Sequence, residues 1–231
     1  MSTNLQRLCV WSGPIFIILF FAALLCAGFI PPSAPQSTPA EIAAMYREHT
    51  LPIRLGMALQ IVAAGFQFPF VAVISNQLSR IGPHARTMSY MQLGAGSAGV
   101  LLFIVPPLFW SVAAFRPEAR SEELIYLLHD LGWMFFIVPF VVAFFQLLAM
   151  AAAMLMDQAP QPIFPRWLGY ANAWIATLLA PGLAAIFFKT GPFAWNGIFV
   201  FWLPATVFGA WFVAMTMALL SAIKREARQK G

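Results

Sequence analysis

Residues 93–106 read LGAGSAGVLLFIVP, and residues 168–181 read LGYANAWIATLLAP. Each opens on Leu-Gly and closes on Pro after eleven intervening residues. The apolar stretches that follow match as well: Gly132 precedes Pro139 by seven positions, and Gly197 precedes Pro204 by seven. This frame reads as one helical pair echoed by another, with glycine for close packing and proline for bending. Within the first stretch, Gly94, Gly96 and Gly99 also satisfy G-x-G-x-x-G. A dinucleotide fingerprint needs a strand before it and a helix opening after it, and neither flanks this one. Small residues four apart (Ala95 with Gly99, Gly94 with Ala98) instead let two helix backbones approach closely.

Working outward, the composition is that of a membrane protein. Of 231 residues, 61% are hydrophobic and 9% charged, and mean hydropathy is +0.80, outside the range of soluble domains. The net charge of +5 comes from basic residues flanking apolar runs, so topology accounts for it and no nucleic acid is implied. Cys9 and Cys26 both fall at the first apolar run, too far apart on one helix for a disulfide. That run is long for a signal peptide, and Leu25 before Cys26 fits a lipoprotein cleavage site poorly, so it is expected to be retained.

A spanning helix needs roughly 20 mostly apolar residues. Six stretches qualify, at about 9–30, 54–78, 88–115, 124–156, 167–188 and 194–223. The expected fold is therefore an all-α integral membrane protein, a single domain of residues 1–231. Six transmembrane helices form three hairpins, the last two related by a parallel repeat. Eight Lys and Arg lie on the side of the chain ends and five on the other. The excess places both termini in the cytoplasm, in a bacterial inner membrane.

The outer loop 31–52 begins Pro-rich, then Thr38-Pro39-Ala40-Glu41 forms a capping box. A short helix to about His49 follows, with Ile42, Met45 and Tyr46 on one face, expected to lie on the membrane surface. In the next outer loop Ser121 is an N-cap, with Glu122 and Glu123 in the first turn. Trp110, Trp133 and Trp195 are placed in an outer interfacial belt and Trp11 and Trp167 in an inner one. Trp174, Trp202 and Trp211 fall deeper. The tail 224–231 reads as a basic cytoplasmic stub meeting anionic headgroups.

Pro69, Pro106, Pro107, Pro139, Pro181 and Pro204 all fall within spans. Each lacks an N–H and collides with the carbonyl four residues back. Such carbonyls cannot stay unpaired in lipid, so bent helices around an interior cavity are expected. Polar side chains in the spans are few, and Gln60 and Gln67 share a face of the second. Amides there either join helices, at roughly 0.6 kcal/mol each, or contact a ligand. His129-Asp130, at the outer entry of the fourth span, is the sharpest ionisable pair. Arg54, Arg116 or His49 is expected to pair with Asp130. Three His in all exclude a membrane di-iron oxygenase or two bis-His haems. No P-loop and no G-x-S-x-G occurs, Asp157 stands alone, and no cofactor or metal is implied.

The reading that follows is a non-enzymatic protein that binds or passes a small, mostly apolar molecule through a cavity between kinked helices. Gln60, Gln67, Trp133, Gln146, Asn172 and Trp202 are the candidate contacts, with His129 and Asp130 at the mouth. The expected partners are the bilayer and that ligand, with a second copy or other membrane subunits as further ones. Two alternatives stand beside it: a structural or assembly subunit of a larger membrane complex, and an enzyme acting on a lipid-soluble substrate around His129 and Asp130.

Overall fold

Proline placement decides where the long helices break. In the structure, a computed structural model that describes residues 2–230, every regular element among the described residues is helical. Helix α1 (Thr3–Cys26) is followed by α2 (Pro39–Glu48), α3 (Thr50–Gly65) and α4 (Gln67–Ser79). Then come α5 (Arg86–Gly99), α6 (Val105–Phe115), α7 (Glu122–Ile137), α8 (Val141–Met156), α9 (Arg166–Leu179) and α10 (Leu203–Lys230). Joined end to end, these make six segments long and apolar enough to cross a membrane. They are Thr3–Cys26, Thr50–Ser79, Pro83–Phe115, Glu122–Met156, Arg166–Ile186 and Ile198–Gln229.

Four segments change their winding beside the prolines that close the repeated frame. Segment three tightens into a 3-10 turn at Val100–Phe103 before Pro106 and Pro107. Segment four parts at Pro139, between α7 and α8. Segment five runs into a 3-10 stretch, Ala180–Ile186, that contains Pro181. Segment six opens on a π-helical turn, Ile198–Trp202, just ahead of Pro204. The carbonyls are partly reclaimed: that of Thr177, four residues before Pro181, accepts the amide of Ala180. A 3-10 bond reaches three residues instead of four and so suits a turn that proline has broken.

Each segment packs on its neighbours in the chain, and α1 also packs on α10, so the order around the bundle is the order along the chain. Segments five and six touch mainly at the ends away from the chain termini. At the other end the two chain ends meet. Gln6 (α1) and Gln77 (α4) each donate to the Glu226 carboxylate (α10), at 3.2 and 3.0 Å, and Arg80 lies 3.4 Å from it. Glu226 is buried, so the tail continues α10 as part of the bundle rather than as a free basic stub. Asp157 is not alone either: its carboxylate accepts the amides of Ala159 and Ile163 and shapes the turn between segments four and five.

Ile42 and Tyr46 of α2 are buried and face α7, so the side expected on the membrane surface covers protein instead. Trp110, Trp133 and Trp195 are also buried, which removes them from the outer belt, whereas Trp174 and Trp202 are exposed. Trp11 and Trp167 are exposed near the end where the chain termini meet. Elsewhere the bundle's flanks are apolar and open, as at Ile18, Val62 and Met217.

Glycine governs two close approaches. A Cβ on Gly56 would lie 2.5 Å from the Ala23 carbonyl oxygen, and one on Gly132 would collide with the Trp110 indole nitrogen. Gly94, by contrast, faces open space. Gly132→Ala is expected to destabilise the protein by about 2–3 kcal/mol through overpacking. Gly94→Ala should leave stability unchanged or raise it by up to about 1 kcal/mol. Unfolding in mixed micelles compares the two; equal effects would contradict this packing.

Candidate functional site

The unwound turns meet around a cavity of about 130 Å³. Its walls are Phe20, Phe21 and Leu24 of α1, Leu102 and Phe103 of the 3-10 turn, and Phe136, Ile137, Phe140 and Ala143 on either side of Pro139. Leu179 and Gly182 of segment five and Val200, Phe201, Pro204, Ala205 and Phe208 of segment six complete it. Every lining residue is apolar. The aromatic rings brace one another, with Phe103 and Phe208 stacked at 5.7 Å and Phe20 edge-on to Phe103 at 5.3 Å. A helix that changes winding moves its side chains off the ridge its neighbours would fill, so the space stays open where the breaks converge.

A smaller space of about 40 Å³ adjoins it, sharing Ala143, Leu179 and Phe208 and adding Gln146, Leu147, Ile175 and Trp211. The Trp211 indole N–H donates to the Asn172 side-chain oxygen at 2.9 Å, and the Asn172 amide donates to the Leu168 carbonyl at 2.7 Å. Asn172 is thus held by its neighbours.

Beyond the cavity, at the end away from the chain termini, a buried polar node centres on His129. Ser33 Oγ lies 2.6 Å and the Trp133 indole nitrogen 3.1 Å from His129 Nε2, while the Tyr46 hydroxyl lies 3.1 Å from Nδ1. An indole N–H only donates, so Nε2 is the acceptor and the ring proton sits on Nδ1, donating to Tyr46. Trp110 donates to the His129 carbonyl and Trp195 to the Ser33 carbonyl. Burial raises the Tyr46 phenol well above the ordinary tyrosine range, which keeps it neutral. The node fixes the Pro-rich loop and α2 onto α7. Arg47 adds exposed contacts to Glu118 and Glu122 at 3.9 and 3.5 Å, a minor contribution at a solvated surface.

Of the residues singled out from sequence, His129 and Trp133 meet in the node, and Trp133 reaches the cavity wall through Phe136 and Phe201. Gln146 lines the smaller space, and Asn172 stands behind it through Trp211. Gln60 is fully buried and neither amide atom finds a protein partner; Gln67 Nε2 also lacks one, and neither residue lines the cavity. Trp202 is exposed beside the cavity-lining Phe201. Asp130 forms no ion pair with Arg54, Arg116 or His49: both arginines lie over the Phe115 ring, and Lys189 is the cation whose field reaches the carboxylate. Among the described residues no three His, Cys, Asp or Glu side chains gather to hold a metal. Ser33 and Tyr46 were not chosen from sequence; the apolar stripe of α2 was the signal available for Tyr46.

Compared with protein-family profiles, curated proteins and solved structures, the chain matches none. The class rests on the fold itself. Six long apolar helices with exposed apolar flanks mark a multi-pass membrane protein and imply contact with a bilayer.

Tyr46→Phe leaves the His129 Nδ1–H without its acceptor and is expected to cost about 1–2 kcal/mol at neutral pH. The raised phenol pKa makes the Tyr46 contribution complete below about pH 10 and lost as pH climbs through the folded value. The gap between wild type and Tyr46→Phe should therefore hold from pH 7 to 9 and narrow above about 10. Urea titrations across that range measure it, and a gap that widens with alkali would contradict the assignment.

Proposed function

We propose that this chain is an integral protein of a bacterial inner membrane, with both ends cytoplasmic, that holds or passes a small apolar molecule in the cavity among its bent helices. The observation carrying the reading is the cavity itself, about 130 Å³ and lined by apolar residues. An apolar cavity of roughly 150 Å³ stays dry and takes up benzene. The meeting of Gln6, Gln77 and Glu226 supports an even number of crossings, and the excess of Lys and Arg at that end supports its cytoplasmic placement.

Purified protein in nanodiscs should bind fluorobenzene beyond the uptake of empty nanodiscs, read by 19F NMR. Ala205→Phe, which fills the cavity, should cut that binding at least tenfold, while Val62→Phe on the open flank should not. Equal uptake by wild type and Ala205→Phe would refute the site. Cysteines placed at Ser2 and Gln229 should both label from the cytoplasmic side only; labelling from opposite sides would refute the topology.

A further inference from the structure

Two cavities side by side, one apolar and one carrying an amide, define more than an apolar site. The Trp211 N–H at the smaller cavity is committed to Asn172. Gln146 differs: its side chain lines the space, and its amide has no hydrogen-bond partner among the described residues. Its nitrogen is turned to α5, where a Cβ on Gly96 would come within 2.7 Å of it, so the side-chain oxygen is the atom left for the space. An amide inside an apolar bundle gains from any polar group that reaches it, since lipid offers none. Neither cavity has a charged side chain on its wall, so a carboxylate or ammonium group would be buried without a counter-charge.

Resting on the reading above, we propose that the occupant is a small neutral molecule with one hydroxyl, an alcohol or phenol. Its apolar body fills the phenylalanine-lined cavity and its polar group meets the amide of Gln146. Ala143, Leu179 and Phe208, shared by the two spaces, mark where body and head join. With its donors turned to α5, the amide offers an oxygen that accepts from a hydroxyl. The smaller space leaves room for a single such group.

The test compares 4-fluorotoluene with 4-fluorobenzyl alcohol, two probes that differ by one hydroxyl. Binding to the full chain in nanodiscs is read by 19F NMR and corrected for uptake by empty nanodiscs. Wild type is expected to prefer the alcohol by about tenfold, one hydrogen bond's worth. Gln146→Leu should lower that preference to near unity while still binding 4-fluorotoluene, which also reports an intact fold; Gln146→Met serves in its place if the leucine variant folds poorly. A preference unchanged in these variants, or absent from wild type that binds 4-fluorotoluene, overturns the role of Gln146 and leaves the apolar site standing. Binding of neither probe to wild type overturns the site and this inference together.

Discussion

A proline inside a helix leaves a carbonyl without its amide, and in hydrocarbon no water replaces the lost bond. Four segments of this chain meet that constraint in related ways, by tightening to a 3-10 turn, parting, or widening to a π-turn. What matters is that the four breaks converge. Leu102, Phe140, Gly182 and Val200 come from four different segments and line one cavity. Unbroken rods would interdigitate along their length and close the space; scattered breaks would each make a small local defect. Convergence turns four separate costs into one shared space.

The ends of the bundle are built differently. On the side of the chain termini, amides and the Arg80 guanidinium surround the buried carboxylate of Glu226. On the other side, indole N–H groups close around His129 and Ser33. Both nodes are directional, and both join elements far apart in sequence. A buried polar network rigidifies its surroundings when its members are bonded. The middle is held mainly by phenylalanine contacts, with the Trp211–Asn172 pair as a directional bond beside the smaller space. The two ends thus rest on polar networks and the middle chiefly on ring packing.

Much of the architecture was legible. Apolar length gave six segments within a few residues of their observed bounds, and the capping box of α2 and the Ser121 cap fell where expected. The prolines marked the breaks. What could not be read was which side of a helix each aromatic presents, because hydropathy assigns depth and not direction. Trp133 and Trp174 are the same residue type in similar runs, yet one is buried against His129 and the other faces outward. The phenylalanines of the cavity gave no signal above the background of an apolar chain. Charge pairing failed for a related reason: Asp130 and Arg116 are near in sequence, but a helix start and a loop set their directions, and Arg116 turns to Phe115.

The polar residues within the segments make the last distinction. Asn172 is surrounded by partners, so its role is to position Trp211. Gln60 is enclosed without partners but away from the cavity, and Gln146 stands on the wall. A buried amide that joined helices would have its bonds supplied by those helices, as Asn172 does. Gln146 has the opposite arrangement, with its nitrogen turned to Gly96 and no bond supplied by a neighbouring helix. Gln60 and Gln146 share the lack of a partner, and a place on the wall of the smaller space is what sets Gln146 apart.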